Sequence, residues 1–220
     1  MADPYARRAQ REGYAARSAY KLLELQERFK LLGKGDAALD LGCAPGAWLQ
    51  VAGRCVGPAG TLVGLDLQRT HANLPPRART IVGNVFLTEP AALLDVLCEA
   101  LRQSRSQGAD ILDAAQSQST LARFTIVLSD MAPSTTGARD ADHHASMQLC
   151  HRALDLTPDV LQTGGSLVMK AFEGEAHADL VTRTREMFKQ VRLCKPKSSR
   201  SGSREIYIVA RGHTPAELMR

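Results

Sequence analysis

An α/β fold is predicted, built on a mostly parallel seven-stranded sheet with an antiparallel last strand and helices on both faces. Three observations carry this expectation. Short β-rich apolar runs alternate with longer helical stretches, a glycine-rich turn directly follows the first run, and a basic, serine-rich loop joins the last two runs where a helix would otherwise stand. Strand–helix–strand repetition implies parallel strands covered on both sides. A link without a helix favours an antiparallel hairpin at the sheet's end.

In chain order, Ala16–Leu32 reads as an amphipathic helix with Leu22, Leu25, Phe29 and Leu32 at helical spacing. The expected strands are Ala38–Leu41, Thr61–Leu65, Thr80–Val82, Thr125–Ser129, Ser166–Met169, Val191–Cys194 and Ile206–Ala210. Helical patterns lie between them near 47–56, 89–103, 142–162 and 175–189. Residues 104–120 are polar and poor in aromatics, and read as a loop insertion before the fourth strand. The 220 residues suit one domain, 1–220, with a basic helical extension over 1–35.

A hydrophobic fraction of 44% and a charged fraction of 23% fit a soluble globular chain, and no apolar run approaches the ~20 residues of a membrane span. The N-terminus is Arg-rich, as mitochondrial transit peptides are. Asp3, Glu12 and the helical pattern behind them favour mature protein. Five scattered cysteines without C-x-x-C spacing read as free thiols in a reducing compartment, the cytoplasm by default or the mitochondrial matrix in a eukaryote. The net charge of +5 is unevenly placed: 1–35 carries +4, 192–204 carries +5, and the remainder −4. Two basic islands suit a polyanion if the fold brings them together, and solvated tails if it does not.

The first strand runs into Gly42-Cys43-Ala44-Pro45-Gly46-Ala47-Trp48, and a helix follows. Such a turn lets a ligand approach the backbone at the carboxyl edge of a parallel sheet, or serves packing alone. The stretch is not G-x-G-x-x-G, and Pro45 lacks an amide donor that a pyrophosphate would want, so a cofactor without phosphates fits better. Asp66, ending the second strand, is placed to accept from both hydroxyls of a ribose. Trp48 can wall the pocket or simply pack. The fourth and fifth strands end at Asp130 and Lys170, whose side chains should meet in the same crevice.

Ser18–Leu22 (SAYKL), Leu39–Trp48 (LDLGCAPGAW), Ser129–Pro133 (SDMAP), Gly164–Phe172 (GGSLVMKAF), Lys195–Arg200 (KPKSSR) and Ser203–Ala210 (SREIYIVA) together resemble the FtsJ/RrmJ family of RNA ribose 2′-O-methyltransferases over nearly the whole chain. Thr136–His143 (TGARDADH) is most similar to the branch acting on large-subunit ribosomal RNA. The resemblance implies a Rossmann-like methyltransferase fold, S-adenosylmethionine as cofactor, and methylation of a ribose 2′-hydroxyl, a uridine's, in large-subunit rRNA. It also implies a catalytic tetrad of Lys21, Asp130, Lys170 and Glu205, and cofactor contacts at Gly46, Trp48, Asp66 and Asp130. Asn84 stands where the family usually has an acid, so its amide oxygen can accept from adenine without charge.

The chemistry agrees with that assignment. A thioether leaving group needs no proton, so the demand falls on a weakly acidic hydroxyl; alignment contributes about 7–11 kcal/mol and a base about 10²–10⁴-fold. The tetrad's formal charge is zero, leaving open whether Lys170 removes a proton or steers the oxygen's lone pair. Lys21 lies within one basic island and Glu205 directly follows the other, so both islands should border the site. Arg7, Arg8, Arg11, Arg17, Lys195, Lys197 and Arg200 are then the expected RNA surface. Asp140, Asp142, His143 and His144 read as the start of a helix and not as a metal site. The Pro133–Thr136 loop is expected to line the substrate entrance. A monomer acting on rRNA within a ribosomal particle is expected, with tRNA, mRNA cap or a non-catalytic assembly role as alternatives.

Overall fold

The computed structural model describes residues 3–106, 122–134, 136–200 and 202–215. Its elements run α1 (Pro4–Arg11), α2 (Ala19–Phe29), β1 (Ala37–Leu41), α3 (Ala47–Val56), β2 (Thr61–Asp66), β3 (Ala78–Val82), α4 (Pro90–Ser106), β4 (Phe124–Ser129), α5 (Arg139–Val160), β5 (Leu161–Phe172), α6 (His177–Met187), β6 (Phe188–Cys194) and β7 (Glu205–His213). The seven strands form one sheet in the order β3-β2-β1-β4-β5-β7-β6. The pairs β1–β2, β2–β3, β1–β4 and β4–β5 are parallel. Strand β7 is antiparallel to both neighbours and inserts between β5 and β6, which leaves β6 at the edge.

Period-two alternation builds both faces of the core. Leu39, Leu41, Val63, Leu65, Val127, Leu167 and Met169 pack against α4, α5 and α6. The intervening Ala38, Leu62, Ile126, Leu128, Val168, Tyr207 and Val209 pack against α2 and α3. The strand order reverses direction between β1 and β4, which opens a crevice beyond their carboxyl ends. Gly42 turns the chain there with φ of 79°, and a Cβ on it would stand 2.7 Å from Met131 Cγ, so only glycine lets the two turns close on each other.

The expected helix over 16–32 is shorter, and a separate α1 precedes it. Asp3 accepts from the Tyr5 and Ala6 amides with Pro4 in the first helical turn, a capping signature visible in the sequence. Helix α4 reaches Ser106, so the first residues of the 104–120 segment are helical; 107–120 lie outside the described residues. Helix α5 begins at Arg139 with Ala138 as its cap residue. Asp142, within its first turn, reaches back to the Thr136 and Gly137 amides, and these bonds hold its carboxyl below the usual range.

Candidate active site

Four strand ends and one helix converge beyond the carboxyl edge of the sheet. Asp130 follows β4 and Lys170 lies near the end of β5. The β5–β7 register sets Tyr207 opposite Lys170 and Glu205 opposite Phe172. Opposed residues of an antiparallel pair share a face, so Lys170, Tyr207 and Glu205 lie on the α2 side, where Lys21 descends from the first turn of that helix.

The four residues of the expected tetrad come together as two ion pairs. Lys170 Nζ lies 2.9 Å from Asp130 Oδ1 and donates to the Asp130 carbonyl oxygen at 2.6 Å. Lys21 Nζ donates to Glu205 Oε2 at 2.7 Å. Tyr207 joins the pairs: its hydroxyl donates to Asp130 Oδ1 at 2.7 Å, and Lys21 Nζ stands 5.9 Å from its ring centroid. Burial, then the charges of Asp130 and Glu205, push the Tyr207 hydroxyl well above its ordinary pKa, so it stays a donor. Lys21, Lys170 and Glu205 are all buried. Buried ion pairs contribute little to stability relative to apolar replacements, so two beside a cavity mark a working site.

Tyr207 is one residue that sequence reasoning missed, although its place two residues after Glu205 puts it on the same strand face. It touches the reacting groups only through Asp130 and is therefore a positioning residue. Tyr207→Phe should lower kcat about 10-fold, worth about 1.4 kcal/mol, with KM for RNA unchanged. Steady-state kinetics check this, and a change confined to KM would contradict it.

Between β1, β2, β3 and β4 opens a cavity of about 460 Å³, within the range of small-molecule sites. Asp66, Asn84 and Asp130 all line it, with Gly42, Ala44 and Phe86. The Asp66 carboxylate accepts from the Ala44 amide at 2.9 Å and the Gln68 amide at 2.8 Å, which fixes its plane toward the opening. Asn84 Oδ1 accepts from the Phe86 amide at 3.0 Å, while Arg152 donates to the Val85 and Thr88 carbonyls and so pins the same loop from α5.

Gly46 and Trp48 do not line the cavity. Gly46, at φ 116°, caps α3 and lies against Ala72 and Leu74. Trp48 is buried, stacks on Tyr207 at 5.8 Å, and donates its indole N–H to the Ser18 carbonyl. It therefore braces the tetrad from behind.

Asp40, in the middle of β1, was not anticipated. It is 1% exposed, and neither carboxyl oxygen has a protein hydrogen-bond partner. Burial, then the charges of Asp130 and Asp66, raise its pKa well above the ordinary 3.8, so the fold holds it protonated. A folded-state value raised in this way contributes stability that is fully present below the unfolded-chain value and is lost as pH rises through the folded value. Asp40→Asn removes that titration. The melting temperature of the variant minus that of the wild type should therefore increase from pH 5 to pH 9. A difference that stays flat with pH would refute the assignment.

The two basic islands do converge. Arg17 binds Asp3 and the Ser198 carbonyl, and Glu24 of α2 accepts from the Lys197 and Ser198 amides. Within the expected RNA surface, however, four cations are already paired with acids. Arg8 binds Glu12 and stacks over Tyr20; Arg17 binds Asp3; Arg200 stands 3.8 Å from Asp3; and Lys195 stands 3.7 Å from Glu173. Arg7, Arg11 and Lys197 are exposed, and none has an acidic partner among the described residues. His143 is engaged by backbone at both ring nitrogens, the Phe172 carbonyl at 3.0 Å and the Ala176 amide at 3.2 Å, so it shapes the turn after β5.

Comparison with known proteins agrees with this geometry. The profile of the FtsJ-like methyltransferase family matches residues 14–213. A protein of Desulforapulum autotrophicum named ribosomal RNA large subunit methyltransferase E is 39% identical over 211 residues, covering 96% of this chain and 92% of that protein. The protein of the same name from Pseudomonas aeruginosa PAO1 is 40% identical over 210 residues, covering 96% of this chain and 90% of its own. A solved structure from Plasmodium falciparum, described as a ribosomal RNA methyltransferase, superposes with a TM-score of 0.71 at 27% identity, covering 91% of this chain and 98% of that one. With its sheet order, its paired lysines and acids, and a family match spanning nearly its whole length, the chain belongs to the FtsJ-like methyltransferases.

Proposed function

We propose that this chain transfers a methyl group from S-adenosylmethionine to the ribose 2′-hydroxyl of a nucleotide in large-subunit ribosomal RNA, a uridine by the resemblance. One observation carries the reading: Asp130, which lines an acid-bearing cavity, pairs with Lys170 and accepts from Tyr207, whose ring lies near the Lys21–Glu205 pair. The cavity's donor set suits the cofactor. Asp66 offers two oxygens to a ribose diol, Asn84 faces the base end, and Pro45 removes an amide that a phosphate would use. Two acids in the lining, Asp66 and Asp130, favour a ligand carrying ammonium and sulfonium charges.

The bound cofactor supplies an electrophilic methyl group; the chain supplies alignment. Lys170 spends two of its three N–H donors on Asp130. The third is left to hold the 2′-oxygen, aiming a lone pair along the line of attack. Held in this way by Asp130, Lys170 is placed to position the hydroxyl, and that is the role assigned to it. As the carbon–oxygen bond forms, the hydroxyl proton becomes strongly acidic. Asp130 Oδ2, which has no protein donor among the described residues, is the acceptor assigned to that proton. Lys21, held by Glu205, stands over the Tyr207 ring and so supports the residue that fixes Asp130.

No helix among the described residues is long and apolar enough to cross a membrane. The reading places a monomer in the compartment that holds ribosomes, acting on rRNA within an assembled large-subunit particle. Incubation with labelled S-adenosylmethionine and separate pools of large-subunit rRNA, large subunits, tRNA and capped mRNA tests it. Label should enter the large-subunit pools. Incorporation confined to tRNA or cap would reassign the substrate, and none anywhere would favour a non-catalytic role.

A further inference from the structure

Four of the seven cations expected to hold RNA share three acids, Asp3, Glu12 and Glu173, which directs attention to free cations elsewhere on the surface. Among the described residues, unpaired cations concentrate elsewhere, around the carboxyl end of α2 and the edge strand β6. One face of α2 runs through Lys21, Glu24 and Arg28, which meet Glu205, the 197–198 amides and Cys194 Sγ in turn. Arg28 therefore lies ~10 Å along the helix from the catalytic end, on the same side. On the sheet, Arg192 pairs with Val209 and Gln190 with Arg211, which makes Arg192 and Arg211 diagonal neighbours on one face. Arg211 donates to the Phe29 carbonyl, bringing that face against the end of α2 and Lys30. Arg28, Lys30, Arg192 and Arg211 are exposed, and no acid among the described residues lies within ion-pair distance of any of them. Glu27 sits ~100° round the helix from Arg28.

We infer that these four residues form a second phosphate-binding face, which carries the RNA strand away from the active site down the flank of the sheet. Arg28 and Arg211 also have a local use, since cations at a helix carboxyl end offset its dipole. Lys30, the cap residue of α2, shares that use, while Arg192 has none; neither side chain has a hydrogen-bonding or acidic partner among the described residues. Free exposed cations at the end of a file that begins beside Lys21 fit a polyanion. The file is continuous with the 195–200 loop, because β6 ends at Cys194. This inference rests on the RNA methyltransferase reading and adds to it the path of the substrate.

The test uses the full chain with Lys30→Asn and Arg192→Gln combined; asparagine tolerates the left-handed conformation of residue 30, at φ 50°. The dissociation constant for a fluorescein-labelled large-subunit rRNA transcript is measured from 50 to 200 mM KCl. Two lost phosphate contacts lower the slope of log K against log salt by ~1.8, so wild-type affinity falls ~10-fold more across that range than the variant's. Arg185→Gln, on α6 across the sheet, should keep the wild-type slope, and Arg192→Lys should restore most of it. A double variant with the wild-type slope overturns the second face while leaving the methyltransferase reading standing. A wild-type protein that neither binds nor methylates the transcript overturns the reading itself. In every case S-adenosylmethionine binding, followed by equilibrium dialysis, stays unchanged in a variant that has folded.

Discussion

Replacing Lys170 with alanine should cut methyl transfer by on the order of 10²–10⁴-fold, the equivalent of ~3–5 kcal/mol of barrier, while the cofactor still binds. The expectation follows from geometry. Lys170 is buried, two of its donors are fixed on Asp130, and its remaining donor is the only one left for the substrate oxygen. Lys170→Arg should not rescue activity, because a planar guanidinium cannot place one N–H where the ammonium does, although the charge and the pair with Asp130 survive. Single-turnover kinetics with saturating RNA, beside calorimetric titration of the cofactor, separate the two effects. If cofactor affinity fell as much as the rate, Lys170 would belong to the cofactor site and the assignment would fail.

Asp66→Ala should act on the other side of the site. Its two carboxylate oxygens hold the Ala44 and Gln68 amides and retain lone pairs toward the cavity. Losing a charged acceptor for the ribose diol costs about 1.5–3 kcal/mol, a rise in the cofactor's Kd of roughly 12- to 150-fold. With cofactor at saturation, turnover should return to near the wild-type value. A variant whose turnover stayed low at saturating cofactor would show that Asp66 shapes the Gly42–Gly46 turn more than it binds ligand. Asn84→Asp is informative beside it. Its side chain already receives the Phe86 amide, so the added charge would change affinity without rearranging the loop.

The residues that could be read from sequence are those whose position follows from strand ends. Asp66, Asp130 and Lys170 were expected at one edge because parallel strands deliver their carboxyl ends together, and the sheet does so. Lys21 and Glu205 needed the family resemblance, since nothing in the spacing of a helix near the start and a strand near the end says that they touch. Strand β7 explains much of what stayed hidden. A hairpin was legible from its link, but its insertion between β5 and β6 depends on which edge of β5 was free, and that insertion sets Tyr207 opposite Lys170. Trp48 shows which of two sequence readings the fold favours. An aromatic beside a glycine turn invites a role in the pocket, yet its helix turns the ring toward Tyr207 and Ser18. The charge map was right about convergence, and sequence could not show that Asp3, Glu12 and Glu173 lie within ion-pair distance of four of the cations. Asp40 carried no sequence signal of its own, and its burial near Asp66 and Asp130, which raises its pKa, became visible only in the fold.

The central claim is that this chain methylates a ribose oxygen, and the chemical position of the transferred methyl group tests it most directly. Large-subunit rRNA labelled from tritiated S-adenosylmethionine is digested to nucleosides and separated. The account predicts that the label runs as a single 2′-O-methylated nucleoside and that the linkage beside it resists alkaline cleavage. Label in a base-methylated nucleoside, with the neighbouring linkage still cleaved by alkali, would contradict it.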